Sequence, residues 1–403
     1  MMNQAFFVVR EPLIDASGTV SGYELSLQHD GEVVEMDQRA ESAFLISFVA
    51  EQFLELGAHM MGDEVIFLSL PPHTLEESDI ADLIPQRIVF CLSAEDIDSE
   101  RKFALIKTLR ARGFGLSMPD SVLALENRLL ELLTHIECDF NSPTFSQQVA
   151  HCHAIKSPST NVVARGIETW QDYDLCAELG ASAFVGNLHL TPRPEMQAKG
   201  LNPAQTVILQ LMHLVRQDAE IRDLENVLKR DPAIAYKLLT YINSAGFGLG
   251  VEIQSLRHAV TMLGFSPLYR WLSLLLATAS TSGYSLALMQ AAIIRGRFAE
   301  LLGQNFLPKS EAENLFVAGM FSLLDCLLGI PMEEVLENIQ LSDSVSEALL
   351  TRGGIYGPFL ALAEACEMQN GHVGELADAL FIDALKVNRA HIAALTWAQN
   401  FKL

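Results

Sequence analysis

Between residues 5 and about 200, short apolar runs recur between stretches of helical spacing, and beyond residue 207 only helical spacing remains. This change of period constrains the fold more than any other feature. Side chains alternate every two residues on a strand and about every 3.6 on a helix, so neither pattern can bury its apolar face in the other conformation. FFVV (6–9), VIFLSL (65–70), RIVFCL (87–92), FGLSMP (114–119), IECDF (136–140), NVVARGI (161–167) and SAFVGNL (182–188) read as buried strands, with helices over 40–56, 101–112 and 170–179 among them. Such repetition predicts a parallel barrel or a doubly wound sheet, and a barrel carries its chemistry where the strands end.

The helical half is punctuated most legibly at 231–264. Asp231 can accept the free first-turn amides and Pro232 has none to lose, so a helix starts there. Ile234, Leu238, Leu239 and Ile242 form its apolar stripe, leaving Lys237 outside it. Asn243, Ser244 and the glycines of 246–250 end the pattern. Ser255 caps a second short helix that carries His258 and stops at Gly264. Tyr269, Arg270 and Trp271 follow. They form either an exposed contact surface or, with Trp271 heading WLSLLLA, the start of a core helix. Helices are also read over 287–302, 311–328, 332–339 and 381–397.

Two domains are expected, 1–198 and 199–403, joined by the short linker-like AKGLNP. The net charge of −23 excludes a nucleic-acid footprint and disfavours anionic membrane surfaces. The longest apolar segments are too short to cross a bilayer, and the six cysteines form no CxxC pair, so a cytoplasmic protein with reduced thiols is expected. His151, Cys152 and His153 read as a polar connection rather than a zinc site, since adjacent residues rarely ligate one ion.

DPAIAYKLL, INSA and SLRHAVTMLG together resemble the signature of the HDOD domain, a helical relative of HD phosphohydrolases without the His-Asp metal ligands. No adjacent His-Asp pair occurs after residue 200. REPLIDASGTVSGYELSLQ (10–28), VARGIET (163–169), GASAFVGNL (180–188) and TPRP (191–194) resemble EAL domains, barrels that hydrolyse cyclic di-GMP with divalent metals. The resemblance implies an α/β plus all-α chain: an EAL-like (β/α) barrel followed by an all-helical HDOD domain.

Carried residue by residue, the EAL site keeps Glu24, Asp120, Asp139 and Glu168. Its phosphate-gripping arginine is Gln28, and its ligand positions read Ser69, Cys91 and Pro119. Its lysine becomes Glu137, one glutamate becomes Arg165, and a late glutamine becomes Val185. Glu24 and Asp120 cannot hold two ions that each want about six oxygens. The sequence therefore predicts no metal, no cofactor and no catalytic residue: a dead barrel and a signalling scaffold for protein partners, or a homodimer, in cyclic di-GMP networks. Alternatives are a cyclic di-GMP receptor and a residual phosphodiesterase. The acidic charge and Gln28 count against capture of that dianion. Glu137 and Arg165 are expected to pair across the old site.

Overall fold

A computed structural model describes residues 6–29, 38–56, 64–70, 80–123, 129–155, 159–191, 201–243, 253, 255–279, 286–339, 341–367 and 372–399. The chain divides into two compact units, Met1–His189 with Cys366–Glu375 and Leu190–Ala365 with Leu376–Leu403. The expected cut between 198 and 199, residues 192–194 of TPRP, the glycines of 246–250 and Ser244 lie outside the described residues.

The first unit is a closed barrel of eight strands in sequential order. They are β1 (Phe6–Asp15), β2 (Val20–His29), β3 (Val65–Leu68), β4 (Ile88–Cys91), β5 (Gly115–Pro119), β6 (His135–Asp139), β7 (Asn161–Arg165) and β8 (Ala183–Val185). From β2 to β8 each neighbour is parallel, whereas β1 runs antiparallel to both β2 and β8. The reversal follows from chain length, because a parallel crossover needs a dozen residues or more and only four separate β1 from β2. The Asp15 carboxylate organises that turn by accepting the backbone N–H of Ser17 at 2.8 Å and of Thr19 at 3.0 Å.

Seven of these strands coincide with the apolar runs, and β2 does not. Tyr23 and Leu25 are buried with Glu24 between them, so β2 alternates instead of running apolar. Leu13, Phe67, Val89, Val163, Ala183 and Val185, drawn from five strands, pack as one cluster inside the barrel, with Val65 and Cys91 against it. Burying each larger side chain is worth roughly 1.5–3 kcal/mol. The segment expected to be a polar connection is a helix, Phe145–Ile155. Phe145, Val149 and Cys152 form a buried stripe at spacings of four and three, hidden in sequence by the Gln and His residues around it.

In the second unit the described elements are helices. Asp231 accepts the N–H of Ala233 at 3.0 Å and of Ile234 at 3.1 Å, opening the helix Pro232–Ile242. Leu238 is buried and Lys237 exposed. The Asn243 carboxamide donates to the Ile253 carbonyl at 2.8 Å and accepts its N–H at 2.7 Å, tying two chain segments together. Ser255 accepts the His258 N–H at 3.1 Å, and the helix Leu256–Leu263 ends at Gly264, whose φ of +84° favours glycine. Trp271 is 1% exposed, so it belongs to the core helix Phe265–Thr278 and not to a contact surface.

The expected helix over 311–328 is two, Lys309–Phe321 and Leu324–Leu328, broken at Ser322, whose hydroxyl receives the buried Arg295 at 2.8 Å. The former packs against Leu286–Gly303 at Gly296, where a Cβ would lie 2.7 Å from the Phe316 carbonyl oxygen. Only a glycine permits that approach.

Candidate functional site

The polar side chains inside the barrel come from β2, β4, β5, β6 and β7, with Cys91 and Arg165 as the last residues of their strands. Glu24 of β2 and Glu137 of β6 belong to strands four apart in the closed order, on opposite sides of the barrel. Arg165, the last residue of β7, spans them. Its Nη2 lies 2.7 Å from Glu24 Oε2 and its Nε 2.5 Å from Glu137 Oε2. The other Glu137 oxygen accepts the Ser117 hydroxyl of β5 at 2.5 Å. The pair expected between Glu137 and Arg165 is present, with Glu24 as a second, unforeseen partner of the same guanidinium.

Glu24 and Glu137 are 4% and 8% exposed, and Arg165 keeps 25% of its side chain open. Burial works against the charge on Arg165, but Glu137 and Glu24 beside it prevail and hold its pKa well above the ordinary range. Burial raises the Cys91 thiol far above its usual value, and Glu24 and Glu137 raise it further. Glu11 pairs with Glu24 in the β1–β2 ladder, so both project to the same face. Its carboxyl is raised, first by burial and then by Glu24, with Arg165 opposing.

Of the positions carried over from the EAL site, Glu24, Cys91, Glu137 and Arg165 converge and the rest do not. Gln28 is half-buried further along β2, and Ser69 is exposed just past β3. Asp120 starts the short helix Asp120–Leu123, where its carboxylate meets His151 Nδ1 at 3.3 Å and Cys152 Sγ at 3.5 Å, away from Glu24. Asp139 is exposed and accepts the Asn141 N–H, and Glu168 is exposed. Ser117 and Glu11 were missed. The alternation of FGLSMP could have placed Ser117 inside, and a hairpin about residues 16–19 could have set Glu11 opposite Glu24.

Divalent metals, which the EAL resemblance implies, do not fit this arrangement. Both carboxylates turn an oxygen to one guanidinium, and Asp120 points elsewhere. A divalent ion about 4 Å from that guanidinium would be repelled by on the order of 8 kcal/mol at an effective dielectric of 20. Among the described residues no group of three or more His, Cys, Asp and Glu has metal-holding geometry. Cys138 and Cys152 meet at 3.6 Å between their sulfurs and are fully buried, while His151 is half exposed.

Residues 201–337 match the HDOD domain family. The chain is 26% identical over 402 residues to the cyclic di-GMP phosphodiesterase CdgJ of Vibrio cholerae, covering 98% of this chain and 92% of that protein. It is 24% identical over 406 residues to the uncharacterized protein YuxH of Bacillus subtilis, covering 98% of each. BlrP1 of Klebsiella pneumoniae, solved with manganese and cyclic di-GMP, overlays 46% of this chain and 55% of its own at 21% identity and a TM-score of 0.38.

A relative named as a cyclic di-GMP phosphodiesterase, matched over 92% of its length, overturns the expectation of a non-enzymatic, dead barrel. That expectation counted missing family ligands one position at a time. It overlooked that the substituted residues build a charged cluster of their own, with Glu11 and Ser117 added.

Proposed function

We propose that this chain, which joins an EAL barrel to an HDOD domain, is a cyclic di-GMP phosphodiesterase working from the mouth around Arg165. The observation that carries the reading is the match to CdgJ over 98% of the chain. Hydrolysis of a phosphodiester needs a cation at the phosphate, a base for water and an acid for the leaving oxygen. Arg165, with a quarter of its side chain exposed, is the cation in this scheme. Glu137, steadied by Ser117 and Arg165, is the base in this scheme, taking a proton as water attacks phosphorus. Glu11, with its raised carboxyl, is the acid that protonates the departing ribose oxygen. A carboxyl raised by burial is a recurrent basis for a general-acid role. No metal-borne step enters.

The test incubates the purified protein with cyclic di-GMP, with magnesium, with manganese and with a chelator, and follows the linear dinucleotide by anion-exchange chromatography. Product that disappears in Glu137→Gln is expected. No product under any condition would overturn the reading. The same proposal places the protein in the cytoplasm, with the HDOD half meeting a protein partner or a second copy of the chain. For the location, the supporting fact is that no helix among the described residues is long and apolar enough to cross a membrane. Light scattering of the full chain separates the two kinds of partner.

A further inference from the structure

Two carboxylates from opposite walls of the barrel, each more than nine-tenths buried, meet on one guanidinium. Burying a carboxylate without a counter-charge is costly, so a cation between Glu24 and Glu137 is a structural requirement. We infer that Arg165 is that cation, a built-in replacement for a divalent ion, and that the mouth folds and engages a phosphodiester without magnesium or manganese.

Three observations carry this. The guanidinium uses different nitrogens for the two carboxylates: Nε donates a hydrogen bond to Glu137, and Nη2 stands at ion-pair distance, 2.7 Å, from Glu24. The remaining oxygen of Glu137 is already engaged by the Ser117 hydroxyl, leaving no oxygen of that carboxylate free of a donor. Of the other carboxylates carried over to this site, Asp120 faces the helix Phe145–Ile155 through His151 and Cys152, and Asp139 and Glu168 are exposed. An arginine, unlike a metal, neither dissociates nor loses its charge at any ordinary pH. A quarter of the Arg165 side chain is exposed, so one group both neutralises the carboxylates and can offer donors to an anionic ligand. Engagement of a phosphodiester rests on the function proposed above; the independence from metal does not.

The experiment uses the full chain and two readouts besides turnover: metal content by mass spectrometry and melting temperature with chelator, Mg2+ or Mn2+. The wild type is expected to carry no stoichiometric divalent ion and to melt at the same temperature in all three. Arg165→Met leaves two unneutralised carboxylates; it is expected to melt lower and to be raised again by Mn2+ in a concentration-dependent way. Should that variant fail to fold, Glu137→Gln with Arg165 intact serves instead. Mn2+ bound by the wild type and lost in Glu137→Gln overturns the inference, and Mn2+ retained in that variant sits elsewhere and upholds it. The two readings fail separately. Activity that requires Mn2+ bound at the mouth sinks only the metal-independent site, whereas a metal-insensitive protein that makes no product sinks only the phosphodiesterase.

Discussion

In the barrel one guanidinium, Arg165, is held by two carboxylates, Glu24 and Glu137; in the helical half one carboxylate, Glu300, is held by two guanidiniums, Arg270 and Arg297. Arg270 grips both Glu300 oxygens, at 2.7 and 2.8 Å, and Arg297 adds a third contact at 2.8 Å. Aromatic faces close this second cluster. The Arg270 guanidinium lies 4.0 Å from the Phe316 ring centroid and 5.2 Å from that of Trp397, which Arg297 also faces at 5.4 Å. Nothing comparable covers Arg165 among the described residues, and a quarter of its side chain is open. Equal numbers of charged groups thus serve different ends: a cluster sealed by rings holds helices together, and a partly exposed one can meet a ligand.

Breaking the sealed cluster should have the largest effect. Glu300→Gln leaves two guanidiniums facing each other without the carboxylate they share, and about 3–5 kcal/mol of stability in the helical unit is expected to go, as for other buried pairs stripped of one partner. Denaturant unfolding measures this. Turnover by the surviving folded protein should be unchanged, and a parallel loss of catalysis would erase the contrast.

The barrel should be acid-sensitive. Burial pushes His135 down to about 4 from 6.5, against the pull of Glu137. A histidine kept neutral when folded takes up its proton more readily when unfolded. Stability is therefore complete above about pH 6.5 and declines as pH falls toward 4, by about 3 kcal/mol in all. Hydrogen-exchange protection of β6 and β7 amides across that range reports the slope, which His135→Leu should flatten.

Arg165→Lys keeps the positive charge but loses the planar fork. The barrel should stay folded while turnover of cyclic di-GMP falls about 100-fold, the scale of removing one fixed donor from a reacting oxyanion. Unaltered turnover would reduce Arg165 to the structural role of Arg270. The smallest effect on stability is expected from Glu11→Gln. A carboxyl whose pKa is raised in the folded state contributes stability below pH 4.5 that is lost as pH rises through its folded value. The variant should therefore melt slightly higher at pH 7 and show no such gain below pH 4.5.

The helix starts at Asp231 and Ser255 were legible because a cap is a contact between residues two or three apart. Seven strands were legible because a strand buried on both faces is apolar throughout. β2 was missed for the converse reason, since its inward face carries Glu24. Phe145–Ile155 was missed because three buried residues in eleven do not register against Gln and His neighbours. The Glu137–Arg165 pair was readable from a swap of charges on neighbouring strands. The wider site was not, for Glu11 enters it through the β1–β2 hairpin and Glu24 through closure of the barrel.

By itself, then, the sequence determined the change from strand-and-helix to helix alone, the caps and the resemblance to two families, all of which are encoded in residues near one another along the chain. Tertiary structure alone decided that Glu24 and Glu137 share Arg165, that Asp120 turns away to His151, and that Trp271 is core. Side-chain partners separated by 28 to 141 residues are set by ring closure and packing, and a list of substituted positions carries no distance between them.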